Sequence, residues 1–333
     1  MPRAPAFWRR DGGTLLPLLL SPLAAVMTAI TARRVARPGW RAPVPVICCG
    51  NVTVGGAGKT TLALDLGRRL AARGHAVHFL LRGYGGTTRG THRVSRTDTA
   101  RHVGDEALLL ADVAPTWIGA DRAASARAAI AAGAQVLVLD DGLQNPTLHK
   151  DLSLLVIDGT TGFGNARVLP AGPLREPVEA GAARCQAAVL IGSDTARIAA
   201  TLPPTLKLLR ARLVPGQAAA SLAGRRVLAF AGIASPEKFF TTLSESGAIL
   251  AAQIAFPDHH PYTDRELRHL LDRAAQLDAL PATTPKDAVR LPDAVRRQVH
   301  AVDVTLAWED IAPLDALLMR TMCRPPHHGD PNA

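Results

Sequence analysis

The stretch Gly50 to Thr61, GNVTVGGAGKTT, follows directly on the apolar run Val44 to Cys49. A buried strand therefore enters a glycine-rich loop, and the loop enters a helix that starts near Lys59 and ends at Gly74. Few folds accept that order. Glycines let successive backbone N–H groups turn inward on a polyphosphate, and the helix N-terminus adds partial positive charge. Lys59 is spaced to reach the β- and γ-phosphates, and the Thr60 hydroxyl to hold Mg²⁺. The reading is a nucleoside-triphosphate cradle made of Thr53, Gly55, Gly56, Ala57, Gly58, Lys59, Thr60 and Thr61. Thr53 stands where the usual pattern has its first glycine, and Gly55 and Gly56 are additional glycines inside the loop.

Strand and helix signals alternate beyond the loop. Apolar runs of strand length occur at 75–81, 117–118, 135–139, 152–157 and 187–191, with helical patterns at 105–113 and 122–132. Continuous apolar strands alternating with helices predict a parallel sheet covered on both faces. A second α/β unit begins at Arg225, with a strand over 227–230, Ser235-Pro236 opening a helix, and further strands at 288–290 and 298–306. The expected organisation is an N-terminal helical segment over 1–36, a P-loop domain over 37–204, a connector over 205–223, a smaller α/β domain over 224–324 and a disordered tail over 325–333.

The chain has 333 residues, 47% of them hydrophobic, and a formal net charge of +10. Such a balance suits an acidic partner: nucleic acid, an anionic membrane or a phosphorylated substrate. Aromatic residues make up only 4% and show no RNA-binding pattern, so nucleic acid is the poorest fit. Cys48, Cys49, Cys185 and Cys323 have no metal-ligand spacing, which fits a reducing compartment.

Residues 12–32 carry no charge. As one helix they would reach ~31 Å, close to the ~30 Å of a bilayer core. Pro17 and Pro22 break the segment, with Ser21-Pro22 reading as a cap and first helical position. Arginines lie on both sides, at 9, 10, 33, 34 and 37. The segment is expected to lie on the membrane, with Leu15, Leu16, Leu18, Leu19, Leu20, Leu23 and Met27 dipping in. The alternative is an ordinary helix packed on the main domain.

Carboxylates recur near the predicted sheet edge. Asp140 and Asp141 end an apolar strand, as a Walker-B element does, and can hold Mg²⁺ directly or through water; a plain turn is the alternative. Asp105-Glu106 follows Gly104 at a helix start and reads as a catalytic carboxylate and a metal ligand, or simply as favourable first-turn charge. His259 and His260 follow Phe256-Pro257-Asp258. A Gly/Pro-rich stretch from Phe163 to Glu176 has the character of a binding loop.

GNVTVGGAGKT, RGYGG, VGDE, DDGLQ, GFGN with LPAGPLRE, FPDHH and TTPKDAVR occur in this order along nearly the whole chain. This set resembles the tetraacyldisaccharide 4′-kinases, the lipid A 4′-kinases of Gram-negative bacteria. The resemblance implies transfer of the ATP γ-phosphoryl group to the 4′-hydroxyl of a tetraacylated glucosamine disaccharide 1-phosphate. It implies two α/β domains with the nucleotide between them, and ATP and Mg²⁺ as cofactors. It also implies work at the cytoplasmic face of the inner membrane, against an anionic surface, with no obligate protein partner.

By the same resemblance Asp105 is the general base and His259 its orienting partner, chosen over His260 because it directly follows Asp258. Glu106, Asp140 and Asp141 serve metal and substrate, with Gln144 close by, and Arg82 and Arg175 face anionic groups. Leu81, Asn145, Ala57 and Thr61 depart from the family pattern without removing a group assigned chemistry. A different class, a regulatory or metal-delivering P-loop ATPase, also accommodates GGxGKT, and would turn over ATP without any lipid.

Overall fold

The structure, a computed structural model, describes residues 5–323. The strands are β1 (Val46–Gly50), β2 (Val77–Leu81), β3 (His92–Arg93), β4 (Thr116–Ile118), β5 (Val136–Asp140), β6 (Leu152–Asp158), β7 (Ala187–Ile191), β8 (Lys207–Pro215), β9 (Arg226–Ala231), β10 (Ile249–Ala255), β11 (Leu280–Thr283), β12 (His300–Ala301) and β13 (Val304–Trp308). Among the described residues, nine strands make one sheet in the order β13-β8-β7-β6-β1-β5-β2-β4-β3. Its seven inner strands run parallel, and β13 and β3 close the two edges antiparallel.

Every residue of β1, β2, β5 and β7 is buried. That is the burial expected of parallel strands with a hydrophobic layer on each face. One layer is built from Leu62, Leu66 and Leu70 of the helix Lys59–Ala72, together with Leu314 and Leu318 near the C-terminus. The other gathers Leu137, Leu139, Leu155 and Leu190 with the Gly/Pro-rich loop residues Phe163, Val168 and Leu174.

Four parallel strands form the second sheet, β10-β9-β11-β12. The amphipathic helices Pro236–Glu245 and Asp264–Gln276 bury Phe240 and Leu243, and Leu267 and Leu270, against it.

Three boundaries differ from the sequence reading. The expected connector, 205–223, contains β8, an inner strand of the large sheet. Flanking prolines obscured the L-R-A-R-L alternation of Leu209 to Leu213. The C-terminal part does not stay with the small domain: β13 returns to pair with β8, and the helix Ala312–Met322 packs on the large core. Residues 288–290 are not a strand. They end a helical turn, Pro285–Ala288, whose cap is Thr284, its hydroxyl accepting the Asp287 N–H.

The described part of the N-terminal segment holds a short 3-10 turn, Ala6–Trp8, and two α-helices, Leu15–Leu19 and Ser21–Val35. Ser21 is not a cap; its hydroxyl donates back to Pro17 O at 2.8 Å. Leu15, Leu16, Leu18, Leu19, Leu23 and Met27 are exposed, Leu15 at 77%. Leu20 instead packs toward the core, contrary to its expected place on the outer face. The segment is anchored by the Gly/Pro-rich loop: the Asn165 amide donates to Phe7 O, and Trp8 Nε1 to Pro170 O. No described helix is long and apolar enough to cross a membrane. The expected tail at 325–333 lies outside the described residues.

Candidate active site

The glycine-rich loop leaves β1 at the sheet edge where β5 also ends, since Cys49 is in register with Asp140. Gly58 caps the following helix at φ 86°, and a Cβ there would meet Ile191 Cδ1 at 2.7 Å. The positive φ is what favours glycine here, since the Ile191 tip could shift. The loop is braced by the LPAGPLRE stretch: Val54 N–H donates to Pro173 O, and Arg175 N–H to Val52 O. That pairing delivers the Arg175 side chain to the cradle.

Thr60 Oγ1 donates to Asp140 Oδ2 at 2.7 Å. The other Asp140 oxygen is buried without a hydrogen-bond partner. Burial pushes the Asp140 carboxyl up to about 7, the negative charge of Glu106 adding to the rise. A buried oxygen of this kind, beside a threonine hydroxyl on a phosphate loop, fits a divalent cation. Among the described residues no three acidic, His or Cys side chains form a complete metal cage. Mg²⁺ suits such a partial site, because it keeps waters and takes phosphate oxygens as its remaining ligands.

Asp141 lies elsewhere than expected of a metal ligand. Arg175 binds it bidentately, at 2.7 and 3.0 Å, and Lys59 Nζ is 3.8 Å from Oδ2. Burial alone would raise its pKa, but Lys59 and Arg175 outweigh that and hold it below the usual carboxylate value. Arg175 is likewise committed to a carboxylate rather than turned toward an open anion site. Gln144 is also internal, its amide donating to Asn51 O and to the buried Glu176. Arg82 is exposed just past β2, and its positive charge is felt at the buried Arg122.

Asp105 begins a helix after Gly104, whose φ is 88° and whose Cβ, were there one, would lie 2.5 Å from Tyr84 O. Only 4% of Asp105 is exposed. Its Oδ2 lies 2.9 Å from His259 Nδ1, and its Oδ1 accepts the Glu106 N–H at 2.9 Å. Burial works against ionisation, yet the His259 hydrogen bond and the charges of Lys286 and Arg290 hold the Asp105 pKa below its ordinary value. His259 comes from the second sheet's edge, at φ 58°, its N–H donating to Gly232 O. His260 points elsewhere, to Glu266 at 3.0 Å in the next helix's cap.

The structure thus unites Lys59, Thr60, Asp140 and Asp141 at one edge, and brings Asp105 with Glu106 against His259 across the two sheets. Sequence reasoning missed Lys286 and Arg290, whose side chains flank this pair. Lys286 Nζ is 3.5 Å from Glu106 Oε1, and Arg290 Nε is 3.6 Å from Asp105 Oδ2. Both lie in TTPKDAVR, where T-P-x-D marks a capped helical turn.

A glycine-rich loop entering a helix at the edge of a parallel sheet, backed by a threonine–aspartate pair, defines a P-loop nucleotide-binding protein of the α/β class. Residues 16–322 match the family model described as tetraacyldisaccharide-1-P 4′-kinase. The chain is 59% identical to the tetraacyldisaccharide 4′-kinase of Gluconacetobacter diazotrophicus, over 95% of this chain and 97% of that one. It is 58% identical to the protein of that name from Rhodospirillum centenum, over 98% and 99%. Its fold matches a crystal structure of LpxK from Aquifex aeolicus in complex with ATP, with a TM-score of 0.76 and 26% identity, over 92% of this chain and 100% of that one. The chain belongs to the tetraacyldisaccharide-1-P 4′-kinase family.

Proposed function

We propose that this protein is an ATP- and Mg²⁺-dependent kinase that phosphorylates the 4′-hydroxyl of a tetraacyl glucosamine disaccharide 1-phosphate, a step of lipid A biosynthesis. The observation that carries the reading is the Asp105–His259 pair, held at 2.9 Å, with the adjoining Glu106 close enough to Asp140 for its charge to be felt there. A triphosphatase needs no base for a sugar alcohol, whereas a kinase places a carboxylate to accept the acceptor's proton.

Lys59 and the loop N–H groups bind the β- and γ-phosphates, and Thr60 and Asp140 would hold the cation, with Glu106 nearby. When bound, Mg²⁺ would neutralise charge on the phosphates. Asp105 takes the proton of the 4′-hydroxyl as its oxygen bonds to the γ-phosphorus and the bond to the β-phosphate oxygen breaks. His259 fixes the Asp105 carboxylate by a hydrogen bond to Oδ2. A weak base suffices, because the transition state of phosphoryl transfer is loose and catalysis rests on positioning and charge. Asp141 neutralises Arg175 and orients Lys59, and the exposed Arg82 is the arginine left to meet an anionic acceptor.

The exposed apolar face of residues 15–30 and the exposed arginines at 9, 10, 33, 34 and 37 support seating at an anionic membrane. Each arginine near such a surface contributes ~1 kcal/mol. The location that fits is the cytoplasmic face of the inner membrane, where ATP meets the lipid acceptor. The two catalytic units are the large sheet, including β8 and β13, and the small sheet β9–β12.

The test mixes purified protein, ATP, Mg²⁺ and the disaccharide lipid in detergent and seeks a new phosphate monoester by mass spectrometry. The expected product is the 4′-phosphate. ATP hydrolysis equal with and without lipid, and no ester, would instead favour a regulatory or metal-delivering ATPase.

A further inference from the structure

Lys286 Nζ lies 3.4 Å from His259 Nε2, the ring nitrogen that does not face Asp105. An ammonium group has only hydrogens to offer. A neutral imidazole facing that ammonium accepts at Nε2 and keeps its ring proton on Nδ1, where it points at Asp105 Oδ2, 2.9 Å away. We propose that Lys286 is a positioning residue that fixes His259 as the Nδ1–H tautomer, so that the imidazole orients Asp105 and does not itself take the acceptor's proton. The proposal rests on the reading of Asp105 as the base.

Both partners belong to one braced unit. His259 N–H is held by Gly232 O, and Gly232 N–H by Asp287 Oδ1. Asp287 is fully buried and also receives the Thr284 and Tyr262 hydroxyls and Arg290. Lys286 projects from the same Thr284-capped turn, so its distance to His259 is set by that network rather than by a flexible loop.

The other groups around His259 make the assignment consequential. Asp258 Oδ2 is 3.8 Å from Nε2, and its Oδ1 is buried without a partner. Without Lys286, this carboxylate would attract a proton to Nε2. Tyr84 lies tilted against the ring, centroids 6.2 Å apart, and offers no charge. Arg290 Nε is 3.6 Å from Asp105 Oδ2, the oxygen that also faces His259. Lys286 is therefore the group that keeps Nε2 bare, and it also ties Glu106 at 3.5 Å.

The experiment uses full-length protein in detergent, labelled with ¹⁵N-histidine, as wild type, Lys286→Met and Lys286→Arg, with His259→Asn to assign the His259 resonances among the 11 histidines. The wild type is expected to show a protonated Nδ1 and a bare Nε2. In Lys286→Met the Nε2 signal should move to a protonated nitrogen, kcat should fall about 10- to 100-fold and the KM for ATP should stay within about threefold. Lys286→Arg, which keeps a donor, should restore both. A protonated Nε2 in the wild type, an unchanged signature in Lys286→Met, or full kcat in that variant each overturns the proposal. Wild-type protein that makes no 4′-phosphate overturns the kinase reading instead, and the nitrogen spectra judge Lys286 regardless.

Discussion

The proposed base, Asp105, is set by four residues: the Glu106 N–H holds one oxygen, His259 holds the other, and Lys286 and Arg290 supply positive charge. Replacing Asp105 with Asn removes the proton acceptor while keeping shape. Turnover should fall by ~10²–10⁴, with ATP affinity, measured by calorimetry, nearly unchanged; near-normal kcat would rule Asp105 out as base. Asp140 carries the pH dependence. Its folded-state carboxyl lies above the ordinary 3.8, at about 7, so the folded protein favours the proton. That contribution to stability is fully present below pH 3.8 and is lost as pH rises through 7. Cation binding requires the carboxylate, so affinity for Mg²⁺ with ATP should strengthen from pH 6 to 8. Calorimetry on Asp140→Asn separates this from the titration of ATP itself: its affinity should be lower and its pH slope shallower. An identical slope in both proteins would contradict the assignment.

At the scale of elements, the split N-terminal helix presents leucines outward that an ordinary packed helix would bury. Full burial of one leucine side chain contributes ~1.5–3 kcal/mol. Leu15, Leu19 and Leu23, each more than half exposed, should together dominate membrane seating. Changing all three to serine should lower flotation with anionic vesicles by at least about tenfold. The folded core should be spared, since these side chains contribute little to it; equal flotation would defeat the membrane reading. The phosphate loop illustrates a different dependence. Gly55 and Gly58 were legible because their positive φ favours glycine, whereas the loop's bracing by Pro173 and Arg175 comes from a segment more than a hundred residues later.

Across the whole molecule, the two sheets are tied near the site. Lys238 of the small unit reaches Asp158 at the end of β6, at 2.7 Å. Burial opposes ionisation of Asp158, but the Lys238 hydrogen bond keeps its pKa below the usual value. The tie's contribution is therefore present above pH 3.8 and lost as pH falls through the lowered pKa. Lys238 is about half exposed, so the pair contributes at most ~1 kcal/mol. Lys238→Met should lower the melting temperature by no more than about 4 °C at neutral pH, and by less at pH 3. A large loss at both pH values would show that Lys238 acts by packing rather than charge.

The strand–loop–helix order, the parallel sheet and the family resemblance were all written in local sequence, because a glycine-rich loop and strand burial depend on residues adjacent along the chain. Asp105 and His259 were legible as residue types, yet their meeting joins positions 154 apart. The sequence also hinted at Asp141 as a ligand, and only packing brought Arg175 and Lys59 against it. The return of β13 to β8, and the placing of Lys286 beside His259, were likewise decided by tertiary structure. Local sequence sets which groups a chain carries; the geometry that neutralises, orients or exposes them arises only when distant segments share one interior.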